Sequence, residues 1–305
     1  MSNQVLENLK TLLQVSDLVS KKWIYEQYDS QVMNDTIQTG GDASVVRVHG
    51  TNKALAISTD CTPRYVEANP FEGAKQAVAE TYRNICAVGG TPLAITNCLN
   101  FGNPQKPEIM GQIVRAIKGI TEASKVLDYP VVSGNVSLYN ETDGSAIQPT
   151  PAIGGVGLLK NLDQRCDTKF KGEGDEVFVV GKTSGHINLS LFEREILKIE
   201  GGSNPPAVDL LEEKKNGEFI RELIQNDEIN ACHDISDGGL LVALFEMANE
   251  GLGCDINISS LKASNENIDE NSLFFGEDQA RYIVSIDSSL VGDFKKRAEK
   301  KNISI

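Results

Sequence analysis

The chain lacks the short motifs that mark several common nucleotide-binding, hydrolytic and thiolate-metal proteins. No G-x-x-x-x-G-K-[ST] segment is present, which excludes a P-loop, and no G-x-S-x-G segment is present, which weakens a hydrolase interpretation. The six cysteines contain no C-x-x-C pair. Neither a disulfide framework nor a zinc site is therefore indicated, and free thiols in a reducing compartment are expected. No run approaches the roughly 18 apolar residues of a membrane helix.

Positive charge is also scarce. Lys and Arg number 29 against 43 Asp and Glu, giving a net charge of −14. Such a balance disfavours nonspecific binding to nucleic acid, although a local phosphate site remains compatible with it. The first ten residues contain no basic segment followed by an apolar one, so export is not expected and the cytoplasm is the predicted location. A length of 305 residues suffices for two domains.

Alternating helical and strand patterns predict an α/β (α+β) fold. Predicted helices cover 5–13, 71–88, 109–126, 239–249 and 293–302, and predicted strands cover 44–48, 54–57, 92–96, 131–132, 176–181, 229–235 and 281–286. A polar connector at 160–174 predicts two domains, 1–162 and 170–305. Ile303–Ile305 resembles the first residues of a strand, so the second domain is expected to be truncated.

Polar residues follow three of the predicted strands. Asp60 follows 54–57, Asn97 follows 92–96, and Ser133-Gly134-Asn135, with Ser137, follows what is predicted to be a buried strand. Ligands of open α/β sheets gather beyond the carboxyl ends of strands. Oxygen side chains and backbone N–H groups there suit Mg²⁺ and phosphate. Each residue taken alone is equally explained as a turn former or a helix cap.

A fourth segment, His233 to Gly239, ends a predicted strand and opens a predicted helix. Asp237 as the helix N-cap explains much of it without function, although the helix N-terminus would also receive an anion. His233 is one of three histidines, with His49 and His186. A lone histidine is more often a satisfied structural residue than a general base.

Taken together, these segments resemble the formylglycinamidine ribonucleotide synthase family, the ATP-dependent amidotransferases of purine biosynthesis. The resemblance covers nearly the whole chain. It is carried by Gly41-Asp-Ala, Ser58-Thr-Asp-Cys, Gly90-Thr-Pro-Leu-Ala-Ile-Thr, Asn100-Phe-Gly-Asn-Pro, Ser133-Gly-Asn-Val-Ser-Leu-Tyr-Asn-Glu141, Pro205-Pro-Ala-Val-Asp-Leu, His233-Asp-Ile-Ser-Asp-Gly-Gly and Phe275-Gly-Glu-Asp-Gln-Ala-Arg281.

The resemblance implies an N-terminal and a C-terminal domain of the aminoimidazole ribonucleotide synthase type. The family's synthetase subunit looks like two tandem copies of this pair, and the chain resembles only the second, C-terminal copy. The first copy carries an E-x-H-N-H-P segment where this chain has Thr59-Asp60-Cys61-Thr62-Pro63. No catalytic residue is therefore expected in this chain.

Carried over position by position, the resemblance implies two ATP contacts, two metal ligands and one substrate contact. Gly134 matches an ATP-contacting glycine, and Asn97 stands where the family usually has an ATP-contacting aspartate. Asn135 matches a Mg²⁺ ligand, and Asp60 matches the metal-linked aspartate of the wider superfamily. Ser137 matches a contact to the formylglycinamide ribonucleotide substrate. The implied cofactors are ATP and Mg²⁺.

The implied reaction is C–N ligation, in which ATP activates the substrate amide oxygen and ammonia displaces it to give the amidine. The implied partners are the N-terminal half of the synthetase, a glutaminase subunit that supplies ammonia and a small accessory subunit. A homodimer through the domain at 1–162 is also possible, with no nucleic acid or membrane. Two alternatives stay open: a non-catalytic half whose nucleotide only holds the assembly together, and an aminoimidazole ribonucleotide synthase. The first alternative is favoured for the isolated chain, because the catalytic histidine is missing.

Overall fold

A computed structural model describes residues 2–27, 32–201, 204–248, 251–257, 259 and 267–305. Helices and strands alternate along it. The helices are α1 Asn3–Leu12, α2 Lys22–Tyr25, α3 Pro63–Ala68, α4 Pro70–Ala87, α5 Pro107–Val126, α6 Leu191–Glu195, α7 Leu210–Gln225, α8 Gly239–Met247, α9 Glu270–Phe275 and α10 Val291–Lys300. The strands are β1 Thr36–Gln38, β2 Ser44–Arg47, β3 Ala54–Asp60, β4 Thr91–Asn100, β5 Val131–Ser137, β6 Glu141–Thr142, β7 Ser145–Ala146, β8 Thr150–Leu159, β9 Glu176–Val180, β10 Ala231–Asp234 and β11 Tyr282–Ile286.

The first sheet has the order β1-β2-β3-β8-β4-β5 among the described residues. Its central strand, β8, lies antiparallel to both β3 and β4, whereas β5 lies parallel to β4 as the α5 crossover requires. Alternate residues of β8 are buried, because one face of the sheet packs on helices. The other face carries half-exposed apolar side chains such as those of Ile57 and Leu93.

Helices α4 and α5 cover the buried face. Helix α4 begins at Pro70 after Asn69, whose side chain accepts a hydrogen bond from the Glu72 N–H. Gly119 of α5 lies so close to α4 that a Cβ there would stand 2.1 Å from the Phe71 carbonyl oxygen. Gly89, with φ +89°, ends α4 as the sequence predicts. Most of α4 is buried, which makes it the centre of the molecule.

A second sheet, β10-β11-β9, is antiparallel throughout. One face of it joins the core that surrounds α4, through Val180, Val284 and Phe219 of α7. The other face packs with α8, and α1 joins the same cluster through Val5 and Leu12. The N-terminal helix therefore packs with the second sheet and not with the first. The division of the chain into domains 1–162 and 170–305 stays a prediction.

Three sequence expectations differ from the structure. Val131–Ser137 was expected to be a buried strand that opens into a turn, but the whole segment is an edge strand and all of it except Ser137 is exposed. Strand β8 and helix α7 were not predicted, because β8 is rich in glycine and α7 is strongly polar. Ile303–Ile305 forms no regular strand, although the Gly181 N–H donates to the Ser304 carbonyl at 2.9 Å. Among the described residues, no helix is long and apolar enough to cross a bilayer.

Candidate cation and nucleotide site

Acidic side chains from both halves of the chain converge on one cleft of about 390 Å³. Asp42 comes from the loop before β2, Asp60 from the end of β3 and Glu80 from α4. Asp234 ends β10 and closes the cleft from the second sheet. Four carboxyl groups so close together repel one another unless protons or a cation compensate their charge.

Asn84 lies one helical turn after Glu80 and supplies the amide of this cleft. Its Nδ2 lies 3.2 Å from both carboxylate oxygens of Asp60 and 3.2 Å from the Ser58 hydroxyl oxygen. The Ser58 hydroxyl donates to Asp60 at 2.6 Å. The Asn84 Oδ1 atom is buried and has no hydrogen-bond partner. A buried acceptor oxygen without a donor, surrounded by carboxylates, is the chemistry expected of a hard cation site.

The pKa values of the cleft carboxyl groups reflect their crowding. Burial raises the pKa of Asp60 to about 6, and the charge of Asp42 adds to the shift. Burial and the charge of Asp42 raise the pKa of Asp234 to about 7. Burial raises the pKa of Glu80 well above its usual range, and the charges of Asp60 and Asp234 add to it. A divalent cation would reverse these shifts, because it favours the ionised forms.

Arg83 provides the permanent positive charge beside the cleft. It is fully buried, and its Nη1 donates to Asp234 at 3.1 Å. Its remaining nitrogens donate to Glu213 of α7 at 3.2 and 3.3 Å and to the Gln279 side-chain oxygen at 2.7 Å. One guanidinium therefore holds Asp234 on the cleft wall and ties α4 to the second sheet and to α7.

His233 does not act as a free base. Its Nδ1 lies 2.5 Å from Asp42 and its Nε2 lies 3.0 Å from Glu246. Burial opposes the charged imidazolium, but these two carboxylates outweigh it and hold the pKa of His233 well above its usual range. Asp42, His233 and Asp234 lie close enough to share an ion. A hard cation such as Mg²⁺ prefers oxygen ligands, so the carboxylates of Asp42 and Asp234 are the better donors.

The predicted residues Asn97 and Gly134 lie in one row across the sheet with Asp60. Asp60 pairs with Ile153 of β8, Ile153 pairs with Asn97, and Asn97 pairs with Gly134. The side chains of this row point to the helical face, and the Asn97 Oδ1 atom is buried without a partner. Neighbouring strands lie about 4.8 Å apart, so Asn97 stands about 10 Å from Asp60 and Gly134 about 14 Å. These two residues are in the middle of strands and not in loops.

Asn135 and Ser137 lie on the opposite face of β5, because successive side chains of a strand alternate. Asn135 is exposed, and Ser137 exchanges hydrogen bonds with Asn140 at 3.2 to 3.3 Å. The structure therefore does not bring Asn135 together with Asp60, the other predicted metal ligand. A single ion in this chain cannot contact both residues.

No ligand role is predicted from the sequence for Asp42, Glu80, Asn84 or Asp234. Their only local signal is the i, i+4 spacing of Glu80 and Asn84, which places the two on one face of a helix. Asp42 and Asp234 lie in segments singled out for their resemblance. Nothing local shows that they meet, because 192 positions separate them in the chain (234 minus 42).

The fold and the interdomain cleft define a two-domain protein of the aminoimidazole ribonucleotide (AIR) synthase type. The N-terminal domain of AIR synthase related proteins matches residues 40–159 and the C-terminal domain matches residues 172–305. The chain belongs to this family. Among curated proteins, it is 57% identical over 284 residues to the phosphoribosylformylglycinamidine synthase subunit PurL of Novosphingobium aromaticivorans. It is 55% identical over 312 residues to PurL of Zymomonas mobilis.

The alignments cover 91% and 100% of the chain but only 38% and 41% of those two relatives, so the chain spans about two fifths of their length. The expected resemblance to the C-terminal half of this synthetase subunit is confirmed. Among solved structures, Thermotoga maritima PurL complexed with FGAR superposes with a TM-score of 0.77 at 17% identity. That alignment covers 99% of this chain and 48% of that one. Thermus thermophilus tt0281 superposes with a TM-score of 0.65 at 18% identity. That alignment covers 95% of this chain and 93% of tt0281. These likenesses confirm the expected fold.

Proposed function

We propose that the interdomain cleft binds a divalent cation, Mg²⁺, together with the phosphates of ATP. The observation that carries this proposal is that four carboxyl groups line one cleft together with Asn84, whose buried Oδ1 atom has no hydrogen-bond partner. The donors are Asp42, Asp60, Glu80, Asn84 and Asp234. Oxygen ligands of this kind suit Mg²⁺, which shares its remaining positions with water and substrate phosphates. A T. maritima PurL of similar fold has been crystallised with ATP, which supports the choice of nucleotide.

We further propose that the chain supplies the C-terminal half of a phosphoribosylformylglycinamidine synthase. The reaction would convert formylglycinamide ribonucleotide, ATP and glutamine-derived ammonia into the amidine, ADP and phosphate. The names of the curated relatives support this assignment. The glutaminase and the small accessory subunit would be separate partners, and the assembly would act in the cytoplasm.

The surface through which the other half would associate is the uncovered face and edge of the first sheet. Strand β5 presents an unpaired edge, and the uncovered face carries half-exposed apolar side chains. Exposed edges and apolar faces of this kind are usually covered by a partner. In the isolated chain, a second copy would take this place and give a symmetric dimer.

The predicted ligand contacts on β4 and β5 divide between the two faces of the first sheet, Asn97 and Gly134 on the helical face and Asn135 and Ser137 on the uncovered face. The contacts on the uncovered face would form a composite site together with the other half of the synthetase. Gly134 and Asn97 would contact ATP, Asn135 a Mg²⁺ ion and Ser137 the ribonucleotide substrate. Asn135 and Ser137 point away from the cleft. Their ligands would therefore bind on the uncovered side, separately from the cation held by Asp60.

A second candidate function is a nucleotide site that only stabilises the assembly. Two observations favour it for the cleft itself. Both walls of the cleft come from this chain, and the neighbouring His233 is held between Asp42 and Glu246. A nucleotide bound in the cleft would then hold the two halves of the chain together, and the chemistry would take place at the composite site on β5.

One experiment tests the proposal and separates the two candidates. Mg²⁺·ATP binding to the chain is measured by calorimetry for the wild type and for the Asp60→Asn/Glu80→Gln double variant. The same substitutions are then placed in the complete synthetase, which is assayed with ammonium salt. Lost binding with lost turnover supports a catalytic cleft, and lost binding with retained turnover supports a structural one. Unchanged binding in the double variant would contradict the cation site.

A further inference from the structure

Glu277 is a buried carboxylate that joins the two ligand-bearing segments of the cleft. Its side chain is 1% exposed and accepts four hydrogen bonds. Oε2 accepts from Nη2 of Arg64 at 3.0 Å and from the hydroxyl of Tyr65 at 2.5 Å, both in α3. Oε1 accepts from the N–H of Leu191 at 2.8 Å and from the N–H of Gly238 at 2.9 Å. One carboxylate therefore binds the first half of the chain with one oxygen and the second half with the other.

The partners of Glu277 follow the cation ligands closely in sequence. Arg64 stands four residues after Asp60, and Gly238 stands four residues after Asp234. Arg64 is the second residue of α3, and Gly238 lies in the turn directly before α8. Because only three residues separate each donor from its ligand, holding the donor restricts where the ligand can lie. Arg64 strengthens the connection with a second bond that crosses the halves, to Asp237 at 2.6 Å.

The two ligands that these segments carry repel each other. Asp60 and Asp234 are both acidic and line the same cleft. Without a cation, this repulsion tends to separate β3 from β10 and to open the cleft. A connection that resists the separation would preserve the spacing that a small cation with strict ligand geometry requires.

We propose that Glu277 is a positioning residue of the cation site, which holds Asp60 and Asp234 at binding distance by tying α3 to the turn before α8. This inference rests on the proposed cation site. Glu277 contacts neither the ion nor the nucleotide in this account. Its contribution is that the ligands need not be brought together when the ion binds.

The next residue provides a matched control. Asp278 is 5% exposed and also accepts four hydrogen bonds, from the Ser184 N–H and hydroxyl and from the N–H groups of Gly185 and His186. All of these donors lie in the second half of the chain. Asp278→Asn therefore removes a buried charge that accepts as many hydrogen bonds as Glu277, but it leaves the bonds between the two halves in place.

The experiment measures Mn²⁺ binding to the full chain by calorimetry for the wild type, Glu277→Gln and Asp278→Asn, with thermal unfolding recorded in parallel. Partners of metal ligands typically contribute about 10–100-fold in affinity. We expect Glu277→Gln to weaken Mn²⁺ binding by about tenfold or more and Asp278→Asn to leave it within about twofold. Both variants should lower Tm. Tyr65→Phe, which removes one donor to Glu277, is a milder variant in case Glu277→Gln does not fold, and it should weaken binding by a few fold.

The outcomes are distinguishable. A wild-type chain that does not bind Mn²⁺ overturns the proposed cation site and this inference with it. Wild-type binding that is unchanged in Glu277→Gln, or in Tyr65→Phe if the former does not fold, overturns the inference alone. Equal weakening in Glu277→Gln and Asp278→Asn also overturns it, because the effect would then follow from general loss of stability.

Discussion

The interdomain cleft and the β5 edge both carry polar residues of the first domain, but they differ in what surrounds them. In the cleft, Asp60 meets Asn84 and Ser58 within hydrogen-bond distance, and Asp234 meets Arg83. On β5, Asn135 faces solvent, and the Ser137 hydroxyl bonds with the side chain of Asn140 three residues away. The cleft is assembled within the chain. The β5 edge offers groups to something outside it.

This difference explains why the electrostatics of the two regions diverge. Burial raises the pKa of Asp60 to about 6 and that of Asp234 to about 7, because carboxylates are crowded in a poorly hydrated cleft. The exposed strand offers uncharged amide and hydroxyl groups, which water can satisfy. The carboxyl groups of the cleft therefore repel one another, and a bound cation would reduce this repulsion. The uncharged side chains of β5 have little such repulsion.

The largest effect on stability is expected from a substitution of Arg83, because this residue binds Asp234 of the cleft and Glu213 of α7. Arg83→Met leaves Glu213 and Asp234 buried without their counter-ion. Breaking a buried ion pair costs about 3–5 kcal/mol, so the free energy of unfolding should fall by about that amount in urea titrations. Lys296→Met removes an ion pair whose side chains are both about four-fifths exposed and should change little. Equal effects of the two substitutions would contradict the assigned role of Arg83.

The next largest effects are expected on cation affinity and on Tm when one carboxyl group of the cleft is replaced. Glu80→Gln removes one carboxylate ligand and should weaken Mn²⁺ binding by roughly 100-fold, at least as much as removing a partner of a ligand. The same substitution relieves repulsion, so without a cation the Tm should rise. These two changes of opposite sign are the signature of a cation site, measured by calorimetry and thermal unfolding. Asn135→Ala is the matched change on β5. It should alter neither quantity in the isolated chain, where the other half of the composite site is absent.

The pH dependence gives a smaller effect. The pKa of Asp60 is raised in the folded chain, so this carboxyl keeps its proton there at pH values where the unfolded chain has lost it. Its contribution to stability is therefore present below about pH 4 and is lost as the pH rises through about 6. We expect the Tm of Asp60→Asn, relative to the wild type, to increase by a few °C between pH 4 and pH 7. Saturating Mg²⁺ should abolish this difference, and a pH-independent difference would count against the raised pKa.

The smallest effect on stability is expected on β5. Asn135→Ala should change the free energy of unfolding by no more than about 0.5 kcal/mol, because the residue is exposed. Ser137→Ala removes the hydrogen bonds with Asn140 and should cost no more than about 1 kcal/mol. In the complete synthetase each should lower kcat/KM about two- to tenfold, the equivalent of one hydrogen bond. Unchanged kcat/KM in both variants would show that Asn135 and Ser137 do not contact ligands of the composite site. Gly134→Ala is less informative, because its Cβ would stand 3.2 Å from the Asn97 carbonyl oxygen and disturb the strand pair itself.

Much of the local structure follows from sequence periodicity. The helix predicted at 71–88 is Pro70–Ala87, and the strand predicted at 176–181 is Glu176–Val180. These segments have a regular apolar pattern with a clear beginning and end, so a short window of sequence contains the information. The prediction failed for β5, whose valines suggest burial. Strand order leaves β5 at the edge of the sheet, and strand order is not a local property.

The sequence by itself determined the family and the helices and strands with a regular apolar pattern, such as α4 and β9. It also predicted Asp60 as a ligand, which stays a prediction. Only the tertiary structure decided that Asp42, Glu80, Asn84 and Asp234 share one cleft, and that Asn135 lies on the opposite face of the sheet from Asp60. The physical reason is that side-chain periodicity is set by neighbours a few residues apart. A cluster of charges depends instead on how distant elements pack, with Arg83 and Glu277 holding them together.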